Sequence, residues 1–476
     1  MIPSLINLPY LKDKKSVCVF FCGIGGVSML SLAVLTKLNG YSVMGSDTSP
    51  TEETVSVCRQ HRIPLFFSHD GDNIDGCNFF VYTAAIASDN PELLRAKQEN
   101  NIRIFTRSEY LGMITDSIPL SIGISGTHGK STVTHLTSAV FTACGCDPIM
   151  LAGAGCTNNG EENSLCRGAL RIGNESTVIY EACEYSRSFL DTHPSVAVIL
   201  NVEREHTDIY PTLEIARNAF FEFAYRSHIC VITRDCPTCN EIEKQLLDKG
   251  KRVLTFSISD KSADVFAHSL KNEHGRFAFD VAIGHTGELI NNIKLNVPGI
   301  HNVKNALASI AVAVACEKFS KNGIKTALEG FRGIARRFEY IGSINGADVY
   351  DDYAHHPTEI KAILTAAKAL GYDRIVCAFQ PHTYSRTYEF FDDFVDSLSL
   401  CDEVIVSDIF PAREKNVYGI TSKKLADRIP NGIYIKSFDD ICRYLQALSH
   451  PKTLILTLGA GKMNTVAKRL VYGEEN

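Results

Sequence analysis

The stretch GISGTHGKS, residues 123–131, places glycines, a lysine and a hydroxyl side chain close together. Such a loop can hold a phosphate, because glycines let backbone N–H groups approach the anion and a lysine reaches its outer oxygens. Gly129, Lys130 and Ser131 match the end of the pattern G-x-x-x-x-G-K-[ST], but Ile124 stands where its first glycine belongs. We predict a variant phosphate loop in which Lys130 reaches the β- and γ-phosphates and Ser131 holds Mg²⁺.

Two further groups of residues that could hold a metal ion follow apolar runs. Glu181 comes after Val178–Tyr180, and its carboxylate could hold a metal beside a triphosphate, although a solvated glutamate is the better interpretation from this residue alone. A polar cluster then follows the apolar run of residues 197–200: Asn201, Glu203, Glu205, His206 and Asp208. Mg²⁺ prefers oxygen ligands, so chemistry alone does not assign His206 to a metal.

A second glycine-rich stretch, CGIGGVSM, lies near the N-terminus. Gly23 and Gly25 fit G-x-G-x-x-G, while Ser28 replaces the third glycine. Asp47 lies about 20 residues further on, where a ribose-binding acid is expected. These residues alone make a nicotinamide-dependent oxidoreductase a serious alternative, although any nucleotide diphosphate could use the same loop.

The elements that must position these loops alternate along the chain. Four segments have the pattern strand, loop, helix, and they cover residues 16–38, 119–143, 374–398 and 453–470. This alternation indicates parallel sheets with crossover helices. Residues 254–297 instead predict short, partly polar strands, which we interpret as a meander in the middle of the chain.

We therefore expect an α/β protein of three domains. The boundaries predicted near residues 116 and 335 divide it into a Rossmann-like N-terminal domain (1–116), a central P-loop ATPase-type domain with a mostly parallel sheet (117–335), and a Rossmann-like α/β C-terminal domain (336–476). A chain of 476 residues is too long for one compact core, and it has room for two to four domains at roughly 100–200 residues each.

Composition excludes several functional classes. The net charge of −6 argues against a surface that coats nucleic acid, and no apolar run reaches the roughly 18 residues of a membrane span. The first 21 residues have no basic segment ahead of an apolar stretch, so we expect no signal peptide. The 16 cysteines are scattered with a single C-x-x-C, at residues 236–239, and we expect reduced thiols in the cytoplasm.

The loop GTHGKS resembles G-T-[HN]-G-K-[ST] of the Mur ligases, and further motifs resemble that family in its own order along the chain. They are GIGGVSM, VYTAAI, EACEY with a downstream SFL, NVEREHTD, GIHNVKN, ARRFE, DDYAHHPTE, FQPHTYSRT, SDIFPAREKN with Asp408 and Arg413, and GAGKMN. The resemblance implies the family's three-domain fold and its ATP-dependent ligation.

The resemblance also implies the residues around the nucleotide and the metal. The residues expected to bind ATP are Gly123, Ile124, Ser125, Gly126, Thr127, His128, Gly129, Lys130, Ser131, Thr132, His301, Asn302, Asn305 and Arg337. Ser131, Glu181 and His206 are expected to hold two Mg²⁺ ions. An arginine at position 337 would stabilise charge on the transferred phosphoryl group. The residues expected to act in catalysis are Lys130, Glu181, His206, Arg337, His355 and Arg386.

The outer domains are expected to bind the substrates. For the UDP part, the resemblance points to Gly23, Gly25, Gly26, Asp47 and Arg107. For the amino acid it points to Tyr353, His355, His382 and Arg386. Relatives often have HRYTR where this chain has HTYSR, so Thr383 replaces their first arginine and Arg386 is our candidate for the carboxylate.

The implied reaction joins two partners, UDP-N-acetylmuramate and L-alanine, through an acyl phosphate formed with ATP and Mg²⁺ in peptidoglycan synthesis. The C-terminal domain is expected to close over ATP. EACEY with SFL resembles the alanine-adding branch. Two alternatives besides the oxidoreductase remain: a sister ligase that adds a whole peptide to UDP-N-acetylmuramate in cell-wall recycling, and a regulatory protein that binds nucleotide without ligation.

Overall fold

The computed structural model describes residues 16–155, 164–173, 176–284, 287–412 and 414–473. Its strands form three sheets that follow one another along the chain, with five, eleven and six strands. The three-part α/β fold with mostly parallel sheets is therefore confirmed, while the boundaries near residues 116 and 335 stay predictions. Most of the N-terminal segment for which no signal peptide is expected lies outside the described residues, as does Arg413.

The chain divides into two compact units. The first comprises Met1–His268, Asp280–Ile293 and Lys304–Phe331. The second comprises Ser269–Phe279, Lys294–Val303 and Arg332–Asn476. Each unit is described below by itself.

The first sheet, in the first unit, is parallel throughout, with the order β3-β2-β1-β4-β5. Its strands are β1 (Cys18–Cys22), β2 (Ser42–Ser46), β3 (Leu65–Phe66), β4 (Phe79–Tyr82) and β5 (Arg103–Thr106). Its helices are α1 (Val27–Leu38), α2 (Glu52–Gln60), α3 (Pro91–Gln98) and α4 (Arg107–Asp116). Phe20 and Phe21 are both fully buried on β1, which explains why its sequence is a continuous apolar run.

The second sheet has the order β16-β15-β14-β13-β12-β11-β6-β10-β7-β9-β8. Its strands are β6 (Leu120–Ser125), β7 (Ile149–Leu151), β8 (Ser164–Leu165), β9 (Leu170–Arg171), β10 (Thr177–Glu181), β11 (Val196–Ile199), β12 (Ile229–Thr233), β13 (Arg252–Ser257), β14 (Val265–Glu273), β15 (Arg276–Ile283) and β16 (Glu288–Pro298). The accompanying helices are α5 (Lys130–Ala143), α6 (Leu213–Tyr225), α7 (Pro237–Asp248), α8 (Ile300–Ala315) and α9 (Lys321–Gly330).

Two predictions about this sheet are confirmed. The strand–loop–helix unit at residues 119–143 becomes β6, a loop and α5, and α5 begins at Lys130. The polar strands predicted over residues 254–297 are β13 to β16, which are neighbours in chain order along the sheet. Strand β6 lies between β10 and β11, both parallel to it, so the loops after all three strands meet at one sheet edge.

The third sheet lies in the second unit and has the order β17-β18-β22-β19-β20-β21. Its strands are β17 (Glu339–Ile344), β18 (Ala347–Asp352), β19 (Arg374–Phe379), β20 (Glu403–Val406), β21 (Gly432–Tyr434) and β22 (Thr453–Leu458). Its helices are α10 (Pro357–Lys368), α11 (Tyr384–Glu389), α12 (Phe391–Leu398), α13 (Ser422–Ala426), α14 (Phe438–Leu448) and α15 (Asn464–Tyr472). Within the described part of the chain, β17 and β18 pair antiparallel, and the other neighbouring strands of this sheet pair parallel.

Among the described residues, no helix combines the length and the apolarity that a membrane crossing requires.

Candidate active site

The phosphate loop (residues 123–131) requires glycine at two positions. Gly126 has φ +143° and Gly129 has φ +87°, values that other residues rarely adopt. A Cβ at residue 126 would lie 2.9 Å from the Leu200 Cβ, and one at residue 129 would lie 2.9 Å from the Asn305 Oδ1. The backbone therefore turns tightly and ends at the start of α5, where free N–H groups and the helix dipole favour an anion.

The first three residues of the predicted ATP site lie inside β6 rather than in the turn. Gly123 leaves room for neighbouring rings, because a Cβ there would lie 2.9 Å from the Tyr180 hydroxyl oxygen. Ile124 is fully buried, and the Ser125 hydroxyl donates to the Val198 carbonyl at 2.6 Å. These side chains support the turn, and their direct contact with ATP stays a prediction. Thr132 lies in the first turn of α5 and is half-buried.

The acidic loop (residues 201–208) follows β11 and is bonded directly to the phosphate loop. The Asn201 side chain accepts from the His128 N–H at 2.8 Å and donates to the His128 carbonyl at 3.0 Å. The Thr127 hydroxyl accepts the Glu203 N–H at 2.9 Å. Asn201 was not among the predicted site residues, because a contact across more than 70 residues leaves no local signal in the sequence.

Lys130 occupies the centre of a charged cluster. Its ammonium group donates to the carbonyls of Gly126 at 2.6 Å and Thr127 at 3.1 Å, and it lies 2.9 Å from the Glu184 carboxylate. The other Glu184 oxygen is 3.5 Å from the His206 Nε2. Glu184 thus joins two predicted catalytic residues, and the sequence analysis missed it although EACEY contains it.

Electrostatics keep both members of the Lys130–Glu184 pair charged. Burial lowers the pKa of Lys130, but the charges of Glu184, Cys183 and Glu181 together outweigh that effect, and the pKa is raised above its ordinary value. Burial raises the pKa of Glu184, but the Lys130 ammonium and then His206 outweigh it, so the carboxyl pKa lies below its ordinary value. A permanent positive charge therefore stands at the start of α5.

Ser131 and Glu181 form the oxygen pair that a magnesium ion would need. The Ser131 hydroxyl donates to the Glu181 Oε2 at 2.7 Å, and the Gly153 N–H donates to the same oxygen at 2.8 Å. Glu181 is the last residue of β10, as predicted, and β10 pairs directly with β6. Two adjacent oxygen ligands fit Mg²⁺ well. His206, with φ +52°, stands beside a carboxylate rather than within this pair.

The GIHNVKN segment forms the start of α8. In the first unit, the Asn305 side chain lies against the phosphate loop at Gly129. In the second unit, Asn302 donates to the Pro298 carbonyl at 2.7 Å and lies 3.2 Å from the His301 Nε2. Asn302 therefore stabilises its own turn, and the ATP contacts of His301 and Asn302 stay predictions.

The structure brings the predicted UDP-binding residues together at the carboxyl ends of β1 and β2. Gly23 has φ +80°, and the Asp47 carboxylate accepts the Gly25 N–H at 3.0 Å. Arg107, the first residue of α4, donates to the Ser28 hydroxyl at 3.2 Å. Gly26 precedes α1 and is exposed. Asp47 therefore holds the glycine turn, and the serine in place of the third glycine gives Arg107 a partner.

A buried carboxylate beneath this turn was not predicted. Glu92 is fully buried, and its Oε2 accepts from the Ser46 hydroxyl at 2.7 Å and the Cys22 thiol at 3.0 Å. His69 lies 2.9 Å from the same oxygen, and the Asn73 amide donates to the other one at 2.8 Å. The cluster ties the ends of β1 and β2 to α3.

In the second unit, the ARRFE and DDYAHHPTE motifs fold together. The Asp352 carboxylate accepts the backbone N–H of Phe338 at 2.7 Å and of Ala354 at 2.6 Å. Arg337 lies 3.3 Å from Glu359 and 5.4 Å above the Tyr353 ring. Pro357 is the first residue of α10, as its sequence position predicts. This packing holds the Arg337 guanidinium in a defined place.

Three of the residues predicted to bind the amino acid lie close together. The rings of His355 and His382 are 5.8 Å apart, and the Arg386 guanidinium lies 3.1 Å from the His382 Nδ1. Thr383 has φ +68° and caps α11, with its hydroxyl accepting the Arg386 N–H. Thr383 thus caps the start of α11, while Arg386, one turn later, is the cation that we predict to bind the carboxylate.

Three family models match the chain in sequence. They are the Mur ligase family, catalytic domain, at residues 19–118, the Mur ligase middle domain at residues 124–313, and the Mur ligase, glutamate ligase domain, at residues 336–461.

Two curated relatives match over nearly their whole length. The UDP-N-acetylmuramate–L-alanine ligase of Caldicellulosiruptor bescii is 40% identical over 457 residues, which cover 94% of this chain and 96% of the relative. The enzyme of the same name from Clostridium novyi is 39% identical over 470 residues, which cover 97% and 99%.

Solved structures agree in fold. The UDP-N-acetylmuramate–alanine ligase of Thermotoga maritima has a TM-score of 0.78 at 27% identity, covering 95% of this chain and 97% of its own. A murein peptide ligase from Psychrobacter arcticus has a TM-score of 0.70 at 22% identity, covering 95% and 98%, a likeness that concerns the fold alone.

Proposed function

The chain belongs to the Mur ligase family, and from this premise we propose that it joins L-alanine to the carboxylate of UDP-N-acetylmuramate, with ATP converted to ADP and phosphate, in peptidoglycan precursor synthesis. The observation that carries the proposal is the identity of about 40% to enzymes of that name over nearly the full chain. A phosphate loop with a charged lysine and a Ser131–Glu181 oxygen pair supports the ATP-dependent step.

The reaction needs ATP because a carboxylate and an amine do not condense in water at useful rates. A carboxylate oxygen of the muramoyl group attacks the γ-phosphorus, and ADP leaves with the electron pair of the broken P–O bond. The alanine amine then attacks the acyl carbon, loses a proton and expels phosphate. Both steps bring charge towards a phosphoryl group, so fixed positive groups lower the barrier.

Lys130 is placed to meet the negative charge of the triphosphate. Its ammonium group stands at the start of α5, beside backbone N–H groups that an anion can bind. Ser131 and Glu181 would hold Mg²⁺, which, when bound, neutralises charge on the phosphate oxygens. Asn201 keeps the phosphate loop in shape from the neighbouring strand.

A second ion would be held near His206. The Glu184 carboxylate lies 3.5 Å from its imidazole, so a carboxylate oxygen and a ring nitrogen face one another. Glu184 would then contact Lys130 on one side and the ion on the other. The family resemblance, rather than this contact, implies the second Mg²⁺ ion.

The second unit would bind the amino acid. Arg386 has a planar guanidinium that suits a carboxylate, and His355 and His382 lie on the same side of the sheet, after β18 and β19. Arg337 would stabilise the transferred phosphoryl group. In the first unit, the turn held by Asp47, together with Arg107, would bind the UDP diphosphate at the start of α1.

We place the reaction in the cytoplasm. ATP, which the proposed reaction consumes, is available there, and the scattered cysteines of the sequence suit a reducing compartment.

The decisive experiment measures phosphate release with ATP, UDP-N-acetylmuramate and one amine at a time: alanine, serine, glycine or the cell-wall tripeptide. Release with alanine is expected. Release only with the tripeptide would identify the recycling ligase, and release that ignores the amine would identify a regulatory nucleotide-binding protein. Family membership leaves the oxidoreductase without support, and NAD-dependent turnover without ADP formation would restore it.

A further inference from the structure

The motif Cys236-Pro-Thr-Cys239 has no part in the proposed ligation, yet it stands at a position that suits thiol chemistry. Strand β12 ends at Thr233, and Pro237 is the first residue of α7, a helix of 12 residues. Cys236 is the N-cap residue of that helix, and Cys239 is its third residue. The motif therefore joins a buried parallel strand to a helix N-terminus, with both thiols in the first turn.

N-cap and third-residue side chains lie close together, because an N-cap side chain reaches the N–H of the third residue. Here both thiols are nearly or fully buried, at 9% and 0% exposure, while Pro237 between them is exposed. The Cys236 thiol lies 3.7 Å from the Val202 carbonyl. A disulfide between the two sulfurs would close a short loop just beneath the exposed Pro237.

The chemistry of the two thiols differs. The Cys239 thiol lowers the pKa of Cys236 to about 6 by hydrogen bonding, and the backbone N–H groups of Thr238 and Cys239 add to this effect. The same hydrogen bond, together with burial, raises the pKa of Cys239. The charged groups nearby are the Asp235 carboxylate and the Lys304 ammonium, 3.9 Å apart, and the buried Cys230 thiol on β12, whose pKa burial raises, also acts on Cys239.

We propose that Cys236 and Cys239 form a redox-active dithiol, a modification site that low-molecular-weight disulfides convert to an intramolecular disulfide. The Cys236 thiolate attacks one sulfur of the small disulfide, a mixed disulfide forms, and one thiolate leaves. The Cys239 sulfur, having lost its proton to solvent, attacks the Cys236 sulfur and expels the second small thiolate. Two thiols are oxidised and one disulfide is reduced, so the electrons balance.

Oxidation at this site reaches the phosphate loop through two residues, Val202 and Asn201. The Cys236 sulfur lies 3.7 Å from the carbonyl of Val202, which follows Asn201, and Asn201 holds both backbone groups of His128. A disulfide moves the Cys236 sulfur towards Cys239 and away from Val202, so the acidic loop loses a packing contact. We therefore expect oxidation to weaken ATP use, and this part of the inference rests on the proposed function.

The test uses the folded full-length protein in glutathione redox buffers, quenched with acid and alkylated. Trypsin cuts after Arg234 and Lys244, so the peptide 235–244 carries both cysteines of the motif. We expect this peptide to lose two hydrogens and resist alkylation as oxidised glutathione rises, and dithiothreitol to reverse the change. The proposal is overturned if both thiols remain alkylatable throughout, or if glutathione stays attached to Cys236 without forming the internal disulfide.

Cys144 is the control, because its thiol is more exposed than that of Cys236 while burial raises its pKa. At pH 7, Cys236 should react with iodoacetamide about ten-fold faster than Cys144, with a pH midpoint near 6. Equal rates would contradict a special role for Cys236. The variant Cys144→Ser should keep the internal disulfide, and Cys239→Ala should abolish it.

Activity separates this inference from the proposed function. The reduced protein should be fully active, and kcat/KM for ATP should fall on oxidation in the wild type but not in Cys239→Ala. If the disulfide forms and kcat/KM does not change, the link to the phosphate loop is wrong. The peptide measurement does not depend on ligase activity, so failure of the proposed function leaves it readable.

Discussion

Single side chains show both the reach and the limit of sequence analysis. Lys130 and Ser131 are predictable because their spacing from Gly129 is local, and Glu181 because it ends an apolar run. Glu184 and Asn201 cannot be predicted from the sequence in this way, because their roles come from contacts with residues more than 50 positions away. The predicted roles in ATP, metal and substrate binding stay predictions until substitution tests them.

Replacing Lys130 with Met should abolish turnover, because it removes the charge that faces the triphosphate. We expect kcat to fall about 10²- to 10³-fold in an assay of ADP release with UDP-N-acetylmuramate and alanine. Lys423→Met is the control, since that ammonium is mostly exposed and pairs with the similarly exposed Asp427. Turnover that survives Lys130→Met would remove the phosphate loop from the mechanism.

Replacing Glu184 with Gln should change how stability depends on pH. The pKa of Glu184 lies below its ordinary 4.5 because Lys130 and His206 together outweigh the effect of burial. Its stabilising contribution is therefore fully present above about pH 4.5 and is lost as the pH falls through the folded-state pKa. Circular dichroism melts from about pH 7 to about pH 3 should show a smaller acid-induced drop in Tm for Glu184→Gln than for the wild type.

The control for this comparison is Glu214→Gln, whose carboxylate is 72% exposed. It should retain the acid dependence of the wild type. Glu184→Gln should also lower Tm at neutral pH, because Lys130 then loses a buried partner, at a cost of about 3 kcal/mol. An unchanged pH profile would show that Glu184 is not ionised in the folded protein.

At the scale of elements, strands can be predicted from the sequence where both of their faces are buried. β1, β6, β19 and β22 are buried parallel strands, so each has a mostly apolar or small-residue sequence, and each is followed by a loop and a helix as expected. The two-residue strands β8 and β9 give no such pattern. Sheet order also escapes the sequence, and it is sheet order that sets the acidic loop beside the phosphate loop.

The shape of the phosphate loop predicts that two glycine substitutions cost similar stability but differ in their effect on ATP binding. Gly129→Ala meets both a positive φ and an atom of Asn305 at 2.9 Å, whereas Gly250→Ala meets a positive φ of +70° in open space. Both should lose about 1 kcal/mol of stability from backbone strain. Only Gly129→Ala should lose ATP binding, measured by calorimetry, and equal ATP affinity in the two variants would contradict a tight turn at Gly129.

At the scale of the whole molecule, three sheets follow one another in chain order, as the proposal of three ligands, a uridine nucleotide, ATP and an amino acid, leads us to expect. The alternation of strands and helices predicts this division, and the family models match it segment by segment. The positions of the domain boundaries carry a weaker signal, because no glycine- or proline-rich linker marks them.

Ligand binding should make the protein more compact. The acyl phosphate would hydrolyse in open water, so a domain that carries Arg337 and the amino-acid site is expected to close over ATP. Small-angle scattering should show a smaller radius of gyration with a non-hydrolysable ATP analogue and UDP-N-acetylmuramate than with either ligand alone. An unchanged radius of gyration would argue against closure.

The oxygen partners that surround the Lys130 ammonium should make the protein bind a triphosphate in preference to smaller anions. The carbonyls of Gly126 and Thr127 and the Glu184 carboxylate already hold the lysine, so any incoming phosphate must outcompete them. A triphosphate that brings several oxygens can do so, whereas orthophosphate and chloride offer too few contacts. Product inhibition by phosphate should accordingly be weak, and the enzyme should keep working where cellular phosphate is abundant.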